Sequence, residues 1–340
     1  MCGRRRKAIG DQRSQGASSE DAPVDVIYPE PYYLSTIWAG GRLSGIRGLE
    51  PPEGKPYGIA REVCAYAGAP SNQIEGGPWA GHDLRWAIAN HHEELMGDDP
   101  EDQLIRMAYM DPVEDLSIQV HPGEPYACEV EGDREKSESW YILEADPGAY
   151  VVAGTTTTDV NVLREAAERD AVGDYARKVP VSEGDFILIP CGAMHACGKN
   201  MLAIEVGSFG GITYRICDYG RGRKLDIDKA FDVLDTSLAP EPVRLGAYEE
   251  RTESLSRPGV RHRLFASDVI DVVGSYTVHK NNHYEVITCV KHDATIVVDA
   301  REYALPYTRS VIIPASVRTY EVRGACRVLR SWRPVERCAE

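Results

Sequence analysis

The chain has 340 residues, 43% of them hydrophobic and 27% charged, a globular composition with room for one large or two smaller domains. Its 53 acidic against 38 basic residues leave a formal net charge of −15, which repels nucleic acid and anionic membranes except where basic residues cluster. No apolar run approaches the roughly 20 residues of a membrane helix, and nine cysteines are too sparse for a disulfide scaffold, so reduced thiols and a cytoplasmic protein are expected, with neither nucleic acid nor membrane as partner.

The chain opens on Arg4, Arg5, Arg6 and Lys7. A polar, Gly/Ser-rich stretch follows instead of the apolar run of a secretory signal, and residues 1–24 are expected to be a disordered tail. Helical spacing of Leu84, Ile88 and Leu95 predicts a helix over 83–96. Period-two alternation predicts strands at 116–120, 140–143 and 150–153, with turns at Pro122-Gly123 and Asp146-Pro147-Gly148. Val162, Leu163, Ala166 and Ala167 place a second helix within 159–178. Strands are expected at 185–189 and 201–206, then a short helix at 226–234. Residues 236–263, rich in Pro, Glu, Ser and Arg, are expected to connect a domain at 25–235 to a second at 264–340. The second has predicted strands at 284–290, 295–298 and 310–313. Many short strands and few helices imply a mainly β barrel or sandwich with helical insertions. The stretch from Glu183 to Pro190 is echoed by Tyr307 to Pro314, each a strand running into a proline. If the two correspond, His195 maps onto Thr319 and the C-terminal copy keeps the barrel without the chemistry; chance is the alternative for so short a match.

Strand residues two apart share a face. Gln119 and His121 therefore point together, and Pro122-Gly123 puts His121 at the rim. Glu138 shares a face with Lys136 and Trp140 at the start of another strand, and His195 lies where a turn re-enters a strand. Two imidazoles, a carboxylate and an amide oxygen suit zinc among the divalent first-row ions. Such a centre polarises a carbonyl or stabilises an enediolate. Each residue taken singly also fits a surface or hydrogen-bonded role. Cys191 and Cys197, flanking His195, are alternative soft ligands or small buried hydrophobes. His91 and His92 are helix neighbours that do not face each other. His279, His283 and His292 leave a second metal open, His283 sharing a face with Glu285.

Four ordered segments carry a resemblance: Asp115 to Pro122 (Asp-Leu-Ser-Ile-Gln-Val-His-Pro), Lys136 to Trp140, Gly192 to Ala196, and Thr213 to Arg221. With Ile37 to Leu43 before them, they resemble the class I mannose-6-phosphate isomerases, particularly the short bacterial form, over residues 28–332. The resemblance implies a cupin fold: a metal-binding barrel with helical insertions and a second, C-terminal cupin-like β domain without ligands. It implies one zinc ion per chain held by Gln119, His121, Glu138 and His195, with Arg215 as the active-site arginine and Lys136 beside the metal. The implied substrate is a sugar phosphate, with mannose 6-phosphate and fructose 6-phosphate interconverted by proton transfer between C2 and C1 through an enediol. A salt bridge to Asp218 is the other reading of Arg215, and Glu205 has either a structural role or that of the base.

Two departures stand out. Ala108 takes the place of a usual lysine, and the segment around Ser208 to Gly211 lacks the usual Gln and Asp. A lost charge-assisted contact to phosphate is worth about 1.5–3 kcal/mol. Arg106 shares a face with Ala108, and so can replace that cation, only if the segment is a strand. Two further readings stay open: an isomerase of the same fold acting on another sugar, and a non-catalytic sugar-binding cupin.

Overall fold

Alternation in the sequence becomes two β barrels packed back to back. The computed structural model describes residues 22–334. In the N-terminal half a seven-stranded antiparallel sheet is centred on Glu138–Ala145, Met201–Gly207 and Arg106–Met110. Asp185–Ile189 and Pro242–Arg244 extend one side, Tyr57–Val63 and Tyr32–Ser35 the other. A five-stranded sheet packs against it, in the order Tyr214–Cys217, Ile118–Val120, His195–Cys197, Tyr150–Thr155 and Ala176–Pro180. Trp140, Ile142, Ile187, Ile189 and Ala203 fill this barrel together with Val151, Ala153 and Val179. Their neighbours in sequence, Tyr141, Leu143, Phe186, Leu202 and Ile204, point outward into a core shared with the C-terminal half. There Val269, Val286, Ile312 and Leu329 meet them. Ile270, Ile287, Ile313 and Val328, one residue away, fill the second barrel instead. Each such side chain contributes roughly 1.5–3 kcal/mol on burial, so both faces of these central strands are committed to a core.

The sheet of the C-terminal half joins Leu255–Arg261, Ala266–His279, Thr319–Trp332, Glu285–Lys291 and Ser310–Ile313, with the hairpin Ala294–Val298 and Arg301–Leu305 on the 319–332 strand. Its register repeats the first half. Ile189, before Pro190, lies opposite Glu138, and Ile313, before Pro314, lies opposite Glu285. Gln119 lies opposite His195, and His279 opposite Thr319. The echo in the sequence is thus a structural repeat, with His195 on Thr319. The second barrel runs its equivalents as unbroken 14-residue strands. The first interrupts them, between Met110 and Ile118 and between Cys197 and Met201.

Some boundaries differ from expectation. The 83–96 segment forms Leu84–Asn90, capped by Asp83 accepting the Trp86 N–H at 2.8 Å, and then only His92–Leu95. The 159–178 helix is Val160–Glu168; Asp170 takes a positive φ of 53°, which ends it. Lys178 lies instead on the edge strand Ala176–Pro180, whose Val179 enters the barrel. Residues 1–21 of the expected tail lie outside the described residues. Val24 is already buried, its N–H donating to Glu94 Oε1 at 2.9 Å, so order begins before residue 25. The 236–263 connection carries two strands, one paired in each half: Pro242–Arg244 with 185–189, and Leu255–Arg261 with 266–279. The seven described cysteines are unpaired. Among the described residues no helix is long and apolar enough to cross a membrane.

Candidate metal centre

Cross-strand register assembles the site. Gln119 is flanked by His195 on one side and Arg215 on the other. Glu138 opens its strand opposite Gly207. The ligand atoms of His121, Glu138 and His195 lie within 4.8 Å of one another, and all three residues are buried. Glu138 bridges the imidazoles, Oε2 being 3.4 Å from His121 Nε2 and Oε1 3.4 Å from His195 Nε2. Each Nδ1 faces a backbone carbonyl, that of Ile212 at 2.9 Å for His121 and that of Ala193 at 2.8 Å for His195. Donation from Nδ1 leaves the lone pair on Nε2, aimed inward, as a metal ligand requires. The Gln119 amide is 3.3 Å from His195 Nε2, and a half-turn of that amide offers its oxygen to the same point.

The electrostatics favour the same protonation states. Burial drives His121 well below the ordinary histidine pKa, and the Lys136 ammonium adds to this. Burial also lowers Lys136. Burial alone would raise Glu138, yet Lys136 and His121 hold it well below the usual carboxylate range. A neutral imidazole and an ionised carboxylate are what a divalent cation binds. Lys136 Nζ stands 2.8 Å from His121 Nε2 and 3.2 Å from Glu138 Oε2. The donor set therefore fits one divalent ion of zinc's preference.

Gln119 and Lys136 also line a cavity of about 260 Å³, with Ala108, Glu205, Thr213 and Arg215. A groove of about 650 Å³ adjoins it through Tyr66 and contains none of the ligands. Arg215 donates to Ser117 Oγ and the Lys224 carbonyl, both at 3.1 Å. It has no salt bridge to Asp218, which is taken by Arg223 at 2.5 Å and Arg221 at 3.3 Å. Residues 106–110 are a strand, so Arg106 does share the cavity face with Ala108. Its guanidinium is already engaged by Glu205 at 2.6 Å, Glu138 at 3.4 Å and the Gly210 carbonyl at 2.7 Å. Gly210 packs so closely that a Cβ would collide with the Arg134 carbonyl, which accounts for one glycine of the departing loop.

The remaining candidates fall elsewhere. Cys197 Sγ packs 3.5 Å from Met201 Sδ, and burial pushes up its thiol and that of Cys191. His91 stacks on Trp79 with ring centroids 4.6 Å apart. His283 Nε2 meets Glu285 Oε1 at 3.2 Å, but Arg330 at 2.5 Å and the Tyr320 hydroxyl at 2.6 Å complete that carboxylate's shell. Among the described residues, 121, 138 and 195 form the one cluster of His, Cys and acidic groups suited to a metal. Arg61 and Trp38, also on the cavity wall, carried no sequence signal of a site role.

A buried two-histidine, one-carboxylate centre inside one of two barrels defines a metal-binding cupin. Residues 260–333, in the ligand-free barrel, match the family model "Mannose-6-phosphate isomerase, cupin domain". Likeness along the whole chain covers the metal-bearing half as well. A mannose-6-phosphate isomerase of Streptococcus mutans is 29% identical over 321 residues, 89% of this chain and 98% of that protein. Mannose-6-phosphate isomerase ManA of Bacillus subtilis is 26% identical over 314 residues, 88% of this chain and 96% of that one. The crystal structure of a mannose 6-phosphate isomerase from Bacillus subtilis superposes with a TM-score of 0.80 at 23% identity, covering 91% of this chain and 99% of that one. A zinc-bound mannose 6-phosphate isomerase structure gives 0.71 at 14% identity, with 92% and 100% covered. Over about nine-tenths of its length the chain is thus similar to mannose-6-phosphate isomerases, which are isomerase enzymes.

Proposed function

We propose that the protein is a zinc-dependent aldose–ketose isomerase that interconverts mannose 6-phosphate and fructose 6-phosphate, moving a proton between C2 and C1 through an enediol. The observation that carries this reading is the convergence of His121, Glu138 and His195 next to a cavity walled by cations. Gln119, His121, Glu138 and His195 would hold one zinc ion per chain, which when bound polarises the sugar's carbonyl and hydroxyl oxygens and stabilises enediolate charge.

The chain's own groups supply the rest. Arg215 is permanently charged and has no carboxylate partner among the described residues, so its fork is available to an oxyanion. Lys136, with its proton loosened by burial, is a second cation at the edge of the ligand set. The buried floor excludes water from the reacting carbons, which strengthens both interactions.

A coupled assay for fructose 6-phosphate with zinc present tests the proposal, next to His195→Ala. Turnover by the wild type is expected, with turnover and bound zinc both lost in the variant. Stoichiometric zinc without turnover of mannose 6-phosphate would reject this substrate. Ala108 on the cavity wall would then direct the search to other sugars.

A further inference from the structure

The cavity carries five basic side chains, Arg61, Arg106, Lys136, Arg215 and Arg223, against a single acidic one, Glu205, in a chain of net charge −15. Three of the five are neutralised in place. Arg106 pairs with Glu205 and Glu138, Lys136 with Glu138, and Arg223 with Asp218. Arg215 is held by a hydroxyl and a carbonyl beside the ligands.

Arg61 stands apart. Among the described residues it forms no ion pair, and its Nε is buried without a hydrogen-bond partner. Buried donors in folded proteins are nearly always satisfied, and the Arg61 side chain lines the cavity, where an acceptor from outside the chain can meet its guanidinium. Arg61 lies on the Tyr57–Val63 strand directly opposite Ala108, whose methyl group leaves the approach open. The Tyr66 ring, 5.5 Å from Arg61 Cζ, flanks the guanidinium and favours its charged, planar form. Three strand spacings separate the strand of Arg61 from that of Glu138, roughly 14 Å. Among the described residues the cavity therefore has two guanidinium groups without a carboxylate partner, Arg215 beside the candidate ligands and Arg61 at the other end.

We propose that Arg61 is a specificity-determining residue that binds the phosphate of the substrate at the end of the cavity away from the metal centre. This rests on the isomerase reading above and names the group that selects its phosphorylated substrate. A guanidinium fork matches two oxygens of a phosphate at once.

Calorimetry on the zinc-loaded protein tests it, with mannose 6-phosphate, inorganic phosphate and free mannose as probes of wild type, Arg61→Ala and Arg61→Lys. Folding is checked by circular dichroism, and kcat and KM are measured alongside. Arg61→Ala should weaken mannose 6-phosphate and phosphate about tenfold to a hundredfold and leave mannose unchanged. KM should rise far more than kcat falls, and Arg61→Lys should recover part of the affinity. Unchanged mannose 6-phosphate affinity in Arg61→Ala overturns the proposal, as does an equal loss for free mannose. A wild type that binds phosphate through Arg61 without isomerising mannose 6-phosphate would remove the isomerase reading and leave the anion subsite standing.

Discussion

At Glu138 three needs meet in one carboxylate: it bridges both imidazoles, balances Lys136 and takes a share of Arg106. The candidate ligands were legible because strand parity and their motifs place them together, and register then brings distant pairs such as Gln119 and His195 side by side. Arg61 was not legible. What distinguishes it is the missing partner, and no linear pattern encodes that. The loop glycines divide in a way the sequence could not reveal. A Cβ added at Gly210 would run into the Arg134 and Glu135 backbone, whereas one added at Gly211 would come 3.0 Å from the Tyr66 ring. Gly210→Ala should therefore cost about 1–3 kcal/mol by overpacking and shift the carbonyl that holds Arg106. Gly211→Ala should be milder, since a side chain yields more readily than a backbone. Urea midpoints of the two variants decide this, and equal midpoints would contradict the close-approach argument.

Short apolar runs closed by a proline were the easiest elements to read. The 185–189 and 310–313 strands occur at their expected bounds. Arg106–Met110, buried at all five positions, was not singled out as a strand. The 159–178 helix was drawn too long because alanine-rich spacing continues past the left-handed turn at Asp170. In the second barrel, the Glu285–Lys291 strand begins with a carboxylate held by Arg330, Tyr320 and His283. Burial would raise this carboxyl, but those partners pull it from 4.5 to about 2. A depressed acid stabilises the fold above its unfolded pKa and loses that contribution as pH falls. Stability measured by denaturant should thus drop by on the order of 3 kcal/mol between pH 4.5 and 2. Glu285→Gln should flatten this part of the profile, and an unaltered acid limb would show that the carboxylate is not its source.

Taken whole, the molecule is one plan used twice. The carboxylate opposite the proline-terminated strand recurs at Glu138 and at Glu285. In the first barrel it lies between two imidazoles, and in the second between an imidazole and the closer Arg330 guanidinium. Since the family-model match falls on the second barrel alone, the likeness there reports architecture, while the candidate metal cluster sits in its neighbour. On the proposed reading one barrel is closed by a cation that can dissociate, the other by a cation tethered to the chain. Stripping divalent ions with a chelator should then soften the protein asymmetrically. Amide hydrogen exchange should quicken across 118–121, 138–140 and 195–197 and stay slow across 285–289 and 326–330. The tethered guanidinium of Arg330 would keep its half of the molecule rigid whatever the metal content of the other.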